Sequence, residues 1–168
     1  KVIEFTDKGF SFNNIFLIGH SCGAWHALFL HEELSGLFNS TIAISPACFG
    51  PRTLWEKRPN LMERRASEIN FIENFNNFDP LIFIGDQDLR ENTASLSKLL
   101  KINSVNFIQL PNKNINGIYY VDDKVCTWHN NLNGVKKFFI LDPHNINFSR
   151  CFVKYIDDIL TFINQHLD

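Results

Sequence analysis

The sequence predicts an α/β fold, a mostly parallel sheet with flanking helices. Three observations lead to this prediction. Short, continuous apolar runs, typical of strands buried on both faces, alternate along the chain with longer segments of helical character. Glycine, proline or serine ends several of these runs. Parallel strands need long crossover connections, and the helical segments are long enough to supply them.

The first half of the chain contains two predicted strands and two helical segments. The strands lie at 15–18 and 41–45, and Pro46 ends the second one. Between them, good helix formers predict a helix over 24–34, which Ser35-Gly36 terminates. A charged pattern with helical periodicity follows over 54–75.

Two further strands are predicted at 81–84 and 105–110, with a short helix over 93–101 between them. Gly85 ends the first of these strands, as expected where the chain turns away from a sheet. The alternation of strand and helix therefore continues to residue 110.

The segment 111–134 breaks this rhythm and is predicted to be an insertion. Within it, 118–121 and 125–128 have the composition of two strands joined in a hairpin. Strand character resumes at 135–141, and 149–166 is predicted to be an amphipathic terminal helix, because its apolar positions recur at three- and four-residue spacing.

Composition limits the possible functions. The 168 residues are 45% hydrophobic with a net charge of −2, and no linker or repeat divides them, so 1–168 is predicted to be a single domain. Without a Lys/Arg run, nucleic acid is not an expected partner. No apolar run approaches the roughly 20 residues of a membrane span. We therefore expect a cytoplasmic protein.

The cysteines carry no metal or redox pattern. No Cys-x-x-Cys pair and no zinc-type His/Cys cluster occurs among them, and a chain of this length does not depend on disulfides for a core. All are therefore expected to be reduced thiols, and neither a metal nor an organic cofactor is predicted. The cysteines are Cys22, Cys48, Cys126 and Cys151.

A candidate nucleophile lies between the first strand and the first helix. Gly19, Ser21 and Gly23 form a Gly-x-Ser-x-Gly pattern, in which the serine lies on a sharp turn with a glycine two residues away on each side. In such a turn the backbone N–H of Cys22 points into an oxyanion hole. The alternative interpretation is a glycine-rich connection between strand and helix that has no catalytic role.

These residues resemble the α/β-hydrolase superfamily, in particular its small esterase and dienelactone-hydrolase-like branches. The string 15–24 looks like the family's fifth strand and nucleophile elbow, and 81–88 looks like its seventh strand with the acid that follows it. The resemblance implies a Ser-His-Asp triad in the chain order serine, acid, histidine.

The family pattern assigns the acid to Asp88, with Asp86 as the alternative. Both follow a predicted strand at the carboxyl edge of the sheet, where ligands bind. The competing interpretation is that both carboxylates cap the next helix. A serine hydroxyl needs a base to take its proton, and the acid holds that base in the correct tautomer.

Of the six histidines, His144 is the expected base and His129 the alternative. His144 follows the strand predicted at 135–141 and precedes the terminal helix, the position that the resemblance implies for the catalytic histidine. His129 lies in an irregular segment. A surface histidine in a turn remains the other interpretation of His144, since the glycine that often precedes the family's histidine is absent here.

The chain departs from the family most clearly at its beginning. Only about fourteen residues precede the first strand, whereas the family has several strands there and takes a second oxyanion-hole donor from one of their loops. We therefore expect an N-terminally incomplete domain, the C-terminal portion of an α/β-hydrolase fold. Its first strand would lie at an exposed sheet edge through which the chain could associate.

The resulting hypothesis is a serine hydrolase that cleaves a small carboxylic ester, or a thioester or amide, through an acyl-enzyme on Ser21. Over 46–68, where this family often inserts a lid, Phe49, Trp55 and Leu61 are candidates to line an acyl pocket, with packing under a helix as the other interpretation. The alternative function is a catalytically impaired remnant, an interaction module or half of a two-chain enzyme.

Overall fold

The computed structural model describes residues 2–31, 33–76, 78–86, 88, 90–110, 112–115, 118–121, 124–125 and 155–167. Short 3-10 helices lie at Phe12–Asn14, Arg52–Lys57 and Leu99–Lys101. The helices are α1 (Val2–Thr6), α2 (Cys22–Phe29), α3 (Pro59–Ile72) and α4 (Ile156–Gln165). The strands are β1 (Phe16–His20), β2 (Ser40–Ile44), β3 (Leu81–Gly85), β4 (Asn106–Leu110), β5 (Asn112–Ile115), β6 (Ile118–Val121) and β7 (Lys124–Val125).

Strands β1 to β4 form one parallel sheet in the order of the sequence. Its register aligns His20 of β1 with Ile44 of β2, and Ile44 with Phe83 of β3. Gly85 at the end of β3 lies opposite Leu110 at the end of β4. All four strands therefore end at one edge of the sheet, and the predicted α/β class with a parallel sheet and flanking helices is confirmed.

The two central strands are buried on both faces, which explains their continuous apolar sequences. Alternate residues point to opposite sides, so each strand contributes to two separate clusters. One cluster packs with α2 and α3 and includes Trp25, Ala43, Ile82 and Ile84. The other packs with α4 and includes Ile42, Ile44, Leu81, Phe83 and Phe162.

The helical segment predicted over 54–75 is interrupted at Arg58, which lies between the second 3-10 helix and α3. Proline disfavours α-helical backbone in the residue before it, and Arg58 accordingly has φ −135° and ψ 61°. Pro59 itself occupies the first turn of α3, where its missing N–H has no consequence.

The prediction of a helix over 93–101 is wrong for most of its length, because turns occupy 93–98 and a 3-10 helix only the last three residues. Side chains here bond the backbone in place of a helical ladder. The amide of Asn92 donates to Ser95 Oγ at 2.7 Å, and the amide of Ser95 donates to Asn92 Oδ1 at 2.9 Å. The helix predicted over 24–34 is also shorter and ends at Phe29.

A second, antiparallel sheet contains β5, β6 and β7. The predicted hairpin is present in its described part, where Val121 of β6 pairs with Lys124 of β7, while 126–128 of its second predicted strand lie outside the described residues. Strand β5 was not predicted, because its Asn-rich sequence lacks an apolar alternation. The strand predicted at 135–141 lies outside the described residues, as does the beginning of the predicted terminal helix. The single domain and the insertion at 111–134 stay predictions.

Within the described part of the sheet, β1 pairs with β2 alone, so β1 is an edge strand. Its central residue, Ile18, has 59% of its side chain exposed. Among the described helices, none combines the length and the apolar character needed to cross a membrane.

Candidate active site

Ser21 occupies a strained turn between β1 and α2. Its φ of 57° and ψ of −126° lie in a region that non-glycine residues rarely adopt, and among the described residues only Ser45 also has a positive φ without being glycine. Such a conformation costs about 1–3 kcal/mol and persists only where surrounding contacts impose it. The strained conformation of Ser21 therefore indicates a turn with a functional role.

The turn depends on the small size of Gly19. A Cβ added there would lie 2.6 Å from the backbone nitrogen of Ala24 and 2.7 Å from its Cα, because β1 and the first turn of α2 approach closely at this point. At Gly23 an added Cβ would meet no atom within 4 Å. Of the two glycines in the pattern, only Gly19 is required by packing.

Backbone hydrogen bonds hold Ser21 against the end of β2. Its amide donates to the carbonyl of Ile44 at 3.0 Å, and its carbonyl accepts from the amides of Trp25 at 3.0 Å and Ala47 at 3.1 Å. The Oγ atom donates to the Ala47 carbonyl at 3.5 Å. Cys22 begins α2, so its N–H has no acceptor within the helix and lies beside the serine.

The two candidate acids have different surroundings. Asp86 is bonded through both carboxylate oxygens, because Oδ1 accepts from Thr93 Oγ1 at 2.7 Å and Oδ2 accepts from Gln109 Nε2 of β4. Asp88 is only 1% exposed, and its Oδ1 accepts from the amide of Arg90 at 2.8 Å. Asp86 therefore fastens its loop to the neighbouring strand, whereas Asp88 carries a carboxylate into the interior of the protein.

Two arginines hold the loop that carries Asp88. Arg52 donates from Nη2 to the Asp88 carbonyl at 2.8 Å. Arg65 of α3 binds the buried Glu91 through two bonds, 2.6 Å from Nε and 2.7 Å from Nη2. These contacts could not be predicted from the sequence, because each joins residues 26 or more positions apart and neither has a local pattern.

Ser21 and Asp88 leave the same edge of the sheet on strands β1 and β3, with β2 between them. At about 4.8 Å per strand spacing, the strands that carry them are roughly 10 Å apart, so a third group would have to bridge them. Strand β4 ends at this same edge, and the chain beyond it contains His129 and His144. Both histidines lie outside the described residues.

Two other histidines are structural. His31 is 4% exposed, contacts Thr41 Oγ1 through Nδ1 at 3.1 Å and lies 3.4 Å from a carboxylate oxygen of Asp79. His166 lies 3.3 Å from the other oxygen of Asp79. Burial raises the pKa of the Asp79 carboxyl, but the hydrogen bond from His31 and the charges of both histidines outweigh it, so that pKa lies below its ordinary value. Asp79 precedes β3, at the edge of the sheet opposite Ser21.

Cys22 and Cys48 are joined in a disulfide, with their Cα atoms 4.3 Å apart. The expectation that every cysteine is reduced is therefore wrong for these two, because the turn after β2 returns Cys48 to the start of α2.

His26 lies beside the two cysteines, with its Nδ1 3.7 Å from Cys22 Sγ. These three side chains could group around a metal ion, but disulfide sulfurs offer no thiolate, and a soft metal needs one. Disulfides are rare in cytosolic proteins, which weighs against the expected cytoplasmic location.

The candidate acyl-pocket residues are engaged in packing. Phe49 is 3% exposed and meets the Trp25 ring edge-on at 4.9 Å. The Trp55 ring lies under the Arg65 guanidinium at 4.6 Å, and Leu61 packs against the larger core cluster. The packing interpretation therefore describes these three side chains better than a pocket lining.

Comparisons with known proteins give little further information. No family model matches the sequence, and no curated protein matches it. Among solved structures, the chain is similar to an IroE-like serine hydrolase from Shewanella oneidensis, with 14% sequence identity and a TM-score of 0.38. The match covers 66% of this chain and 37% of that one, so the chain spans well under half of that protein. At this TM-score the likeness carries no argument about function.

Proposed function

We propose that this chain is a serine hydrolase in which Ser21 forms an acyl-enzyme with a small carboxylic ester, with thioesters and amides as the next substrate classes. The observation that supports the proposal is the conformation of Ser21. A non-glycine residue is held at φ 57° between a parallel strand and a helix, with Gly19 packed against that helix. This is the geometry of a turn that exposes a serine hydroxyl at the sheet edge.

In the proposed mechanism, His144 takes the proton from Ser21 Oγ as the oxygen attacks the ester carbonyl carbon. Asp88 holds the imidazole in the tautomer that accepts this proton. Negative charge develops on the carbonyl oxygen, and the N–H of Cys22 donates to it. The alcohol leaves with the proton from His144, and a water molecule activated by the same imidazole then hydrolyses the acyl-serine. These steps need no metal or organic cofactor.

The surroundings of the two acids support Asp88 over Asp86. The oxygens of Asp86 already accept hydrogen bonds from Thr93 and Gln109. Burial such as that of Asp88 excludes water, which strengthens the hydrogen bond that an acid makes to its base. Asp86 remains the alternative acid, and Asp86→Asn is expected to disturb the loop more than the chemistry.

The first test is the intact mass of the protein after exposure to a fluorophosphonate. We expect a single adduct in wild type and none in Ser21→Ala. Ser67 is an exposed residue of α3, so Ser67→Ala is a matched control that should label like wild type. A folded wild-type protein that takes no adduct, or a Ser21→Ala variant that still takes it, would contradict the proposal.

The base is assigned by comparing His144→Ala with His129→Ala. Loss of the base should slow fluorophosphonate labelling by at least about 10²-fold, since general-base catalysis contributes roughly 10²–10⁴-fold. We expect this loss in His144→Ala and near-normal labelling in His129→Ala. The reverse result would transfer the role to His129.

The alternative function is an impaired remnant, an interaction module or one half of a two-chain enzyme. Ile18, exposed at 59% on the edge strand β1, favours association through this edge. Light scattering combined with size-exclusion chromatography would detect a dimer. If wild type dimerises and Ile18→Lys does not, while neither protein labels at Ser21, the interaction function would replace the enzyme.

A further inference from the structure

The Cys22–Cys48 disulfide joins the two segments that define the Ser21 turn. Cys22 follows Ser21 directly and begins α2, and Cys48 lies in the loop that follows β2. Both residues are partly exposed, so small thiols can reach the bond. No other covalent link connects these segments within the described residues.

The same two segments are also connected without covalent bonds. The amide of Ala47 donates to the Ser21 carbonyl at 3.1 Å, and Ser21 Oγ donates to the Ala47 carbonyl at 3.5 Å. One residue beyond Cys48, the Phe49 ring meets Trp25 of α2 at 4.9 Å. The position of the loop after β2 is therefore part of what imposes the strained conformation of Ser21.

The surroundings of Cys22 stabilise the thiolate that reduction releases. The residue lies at the positive end of α2, where unpaired backbone N–H groups favour a negative charge. His26 is one turn further along, with its Nδ1 3.7 Å from Cys22 Sγ. Stabilisation of the reduced form makes a disulfide easier to reduce and more oxidising.

We propose that Cys22–Cys48 is a thiol–disulfide exchange site for dithiol reductants, and that its redox state controls the geometry of the Ser21 turn. The exchange chemistry stands independently, and its effect on catalysis rests on the proposed function. In the oxidised state the bond holds the loop after β2 against the turn. In the reduced state the loop is free to move away and Ser21 can relax.

The exchange proceeds in two displacements. A thiolate of the dithiol attacks Cys48 Sγ, which breaks the S–S bond and releases Cys22 as the better-stabilised leaving group. The second thiol of the reductant then attacks the mixed disulfide, releases Cys48 and closes the cyclic disulfide of the reductant. Two electrons pass to the protein, Cys22 is released as its thiolate, and the proton of the second thiol ends on Cys48. A disulfide oxidant reverses both steps.

The first experiment measures the exchange without reference to catalysis. A variant with Cys126→Ser and Cys151→Ser is equilibrated with mixtures of a dithiol and its disulfide in the presence of a chelator, then alkylated and weighed intact. We expect a reversible transition between an unalkylated and a doubly alkylated species, with circular dichroism unchanged. In wild type, peptide mapping of the alkylated cysteines makes the same measurement.

Three results would overturn the proposal. Alkylation of Cys22 and Cys48 in oxidised protein would show that the bond does not form. If the dithiol does not reduce the Cys22–Cys48 bond in folded protein, the bond has only a structural role. The same conclusion follows if reduction unfolds the chain. His26→Ala provides a graded check, because loss of the imidazole should shift the equilibrium toward the disulfide by about threefold to tenfold, the latter equal to about 30 mV.

The second experiment measures the coupling. Hydrogen exchange of the peptide that contains Ala47 should accelerate at least about tenfold on reduction, because its amide bonds to Ser21, while a β3 peptide from 81–85 stays unchanged. Fluorophosphonate labelling at Ser21 should slow about tenfold in the same samples. Unchanged exchange at Ala47 would refute the coupling. Accelerated exchange with no labelling in either state would leave the switch intact and refute only the proposed hydrolase.

Discussion

The two glycines beside Ser21 allow one substitution to be tested in two environments. Gly19→Ala places a Cβ 2.6 Å from the Ala24 nitrogen and 2.7 Å from the carbonyl carbon of Gly23. Both are backbone atoms that cannot rotate away, so strand and helix must separate by about 0.4–0.8 Å to reach tolerable contacts of 3.0–3.4 Å. Overpacking of this kind costs about 1–3 kcal/mol and sometimes more, and we expect about 2 kcal/mol or more here.

Gly23→Ala is the matched control within the same motif. An added Cβ meets nothing within 4 Å, and Gly23 lies in the first turn of α2. Alanine reduces the freedom of the unfolded chain and has the higher helix propensity, so this variant should be more stable by about 0.5 kcal/mol. The same methyl group is therefore expected to have opposite effects four residues apart.

Equilibrium urea denaturation measures both variants. With a slope near 2 kcal/mol per molar urea, the midpoint should fall by about 1 M in Gly19→Ala and rise by roughly 0.3 M in Gly23→Ala. Ser21 labelling should slow tenfold or more in Gly19→Ala, since small displacements of a reacting group have large effects on rate. A Gly19→Ala midpoint within 0.2 M of wild type, or equal losses in both variants, would refute the close-packing argument.

Three further predictions concern stability. Arg65→Leu should lower the free energy of unfolding by about 3–5 kcal/mol in urea denaturation, because it leaves the buried carboxylate of Glu91 without a positive charge beside it. Asp79→Asn should lower the free energy of unfolding by less than about 1 kcal/mol at pH 6, since the Asp79 side chain is 39% exposed. Because the pKa of Asp79 is depressed in the folded protein, this difference in stability should be present above pH 4 and disappear as the pH falls below it. Cys48→Ala should lower the free energy of unfolding of the oxidised protein by up to about 3.5 kcal/mol. This is the loss of chain entropy in the unfolded state expected for a disulfide that spans 26 residues.

Matched controls separate these effects from general damage. Arg64 also binds a glutamate at 2.6 Å but is 60% exposed, and that glutamate, Glu68, keeps the hydrogen bond from Trp25 Nε1 when Arg64 is removed. Arg64→Leu should therefore cost no more than about 1 kcal/mol, and equal losses at both arginines would contradict the argument from burial. Reduced Cys48→Ala should match reduced wild type within about 1 kcal/mol, and a loss that persists under reduction would trace to packing.

Much of this fold could be predicted from local sequence. Continuous apolar runs identified β2 and β3, because a strand covered on both faces needs mostly apolar residues. Apolar runs also identified β1 and β4, although these two strands are partly exposed. The turn at Ser21 could also be predicted, since the close approach of Gly19 to Ala24 joins residues only five positions apart. The helix predicted over 93–101 was wrong because the side chains of Asn92 and Ser95 bond the backbone and form turns there instead.

The partners of the site could not be predicted in this way. Cys48 meets Cys22 across 26 residues, and Arg52 reaches the Asp88 carbonyl across 36. The even number of cysteines was the only sequence signal for the bridge, and it gives no connectivity. The hydrogen bond that ties Asp86 to β4 likewise comes from Gln109, a residue of the neighbouring strand.

The sequence by itself determined β1 to β4, the parallel sheet class and the serine turn after β1, because each follows from residues close together in the chain. The tertiary structure alone decided which acid is buried, which is tied to β4, and which two cysteines meet beside the serine. The reason is geometric. Parallel strands bring the loops at one sheet edge together from distant parts of the chain, and no local pattern records which side chains will then be neighbours.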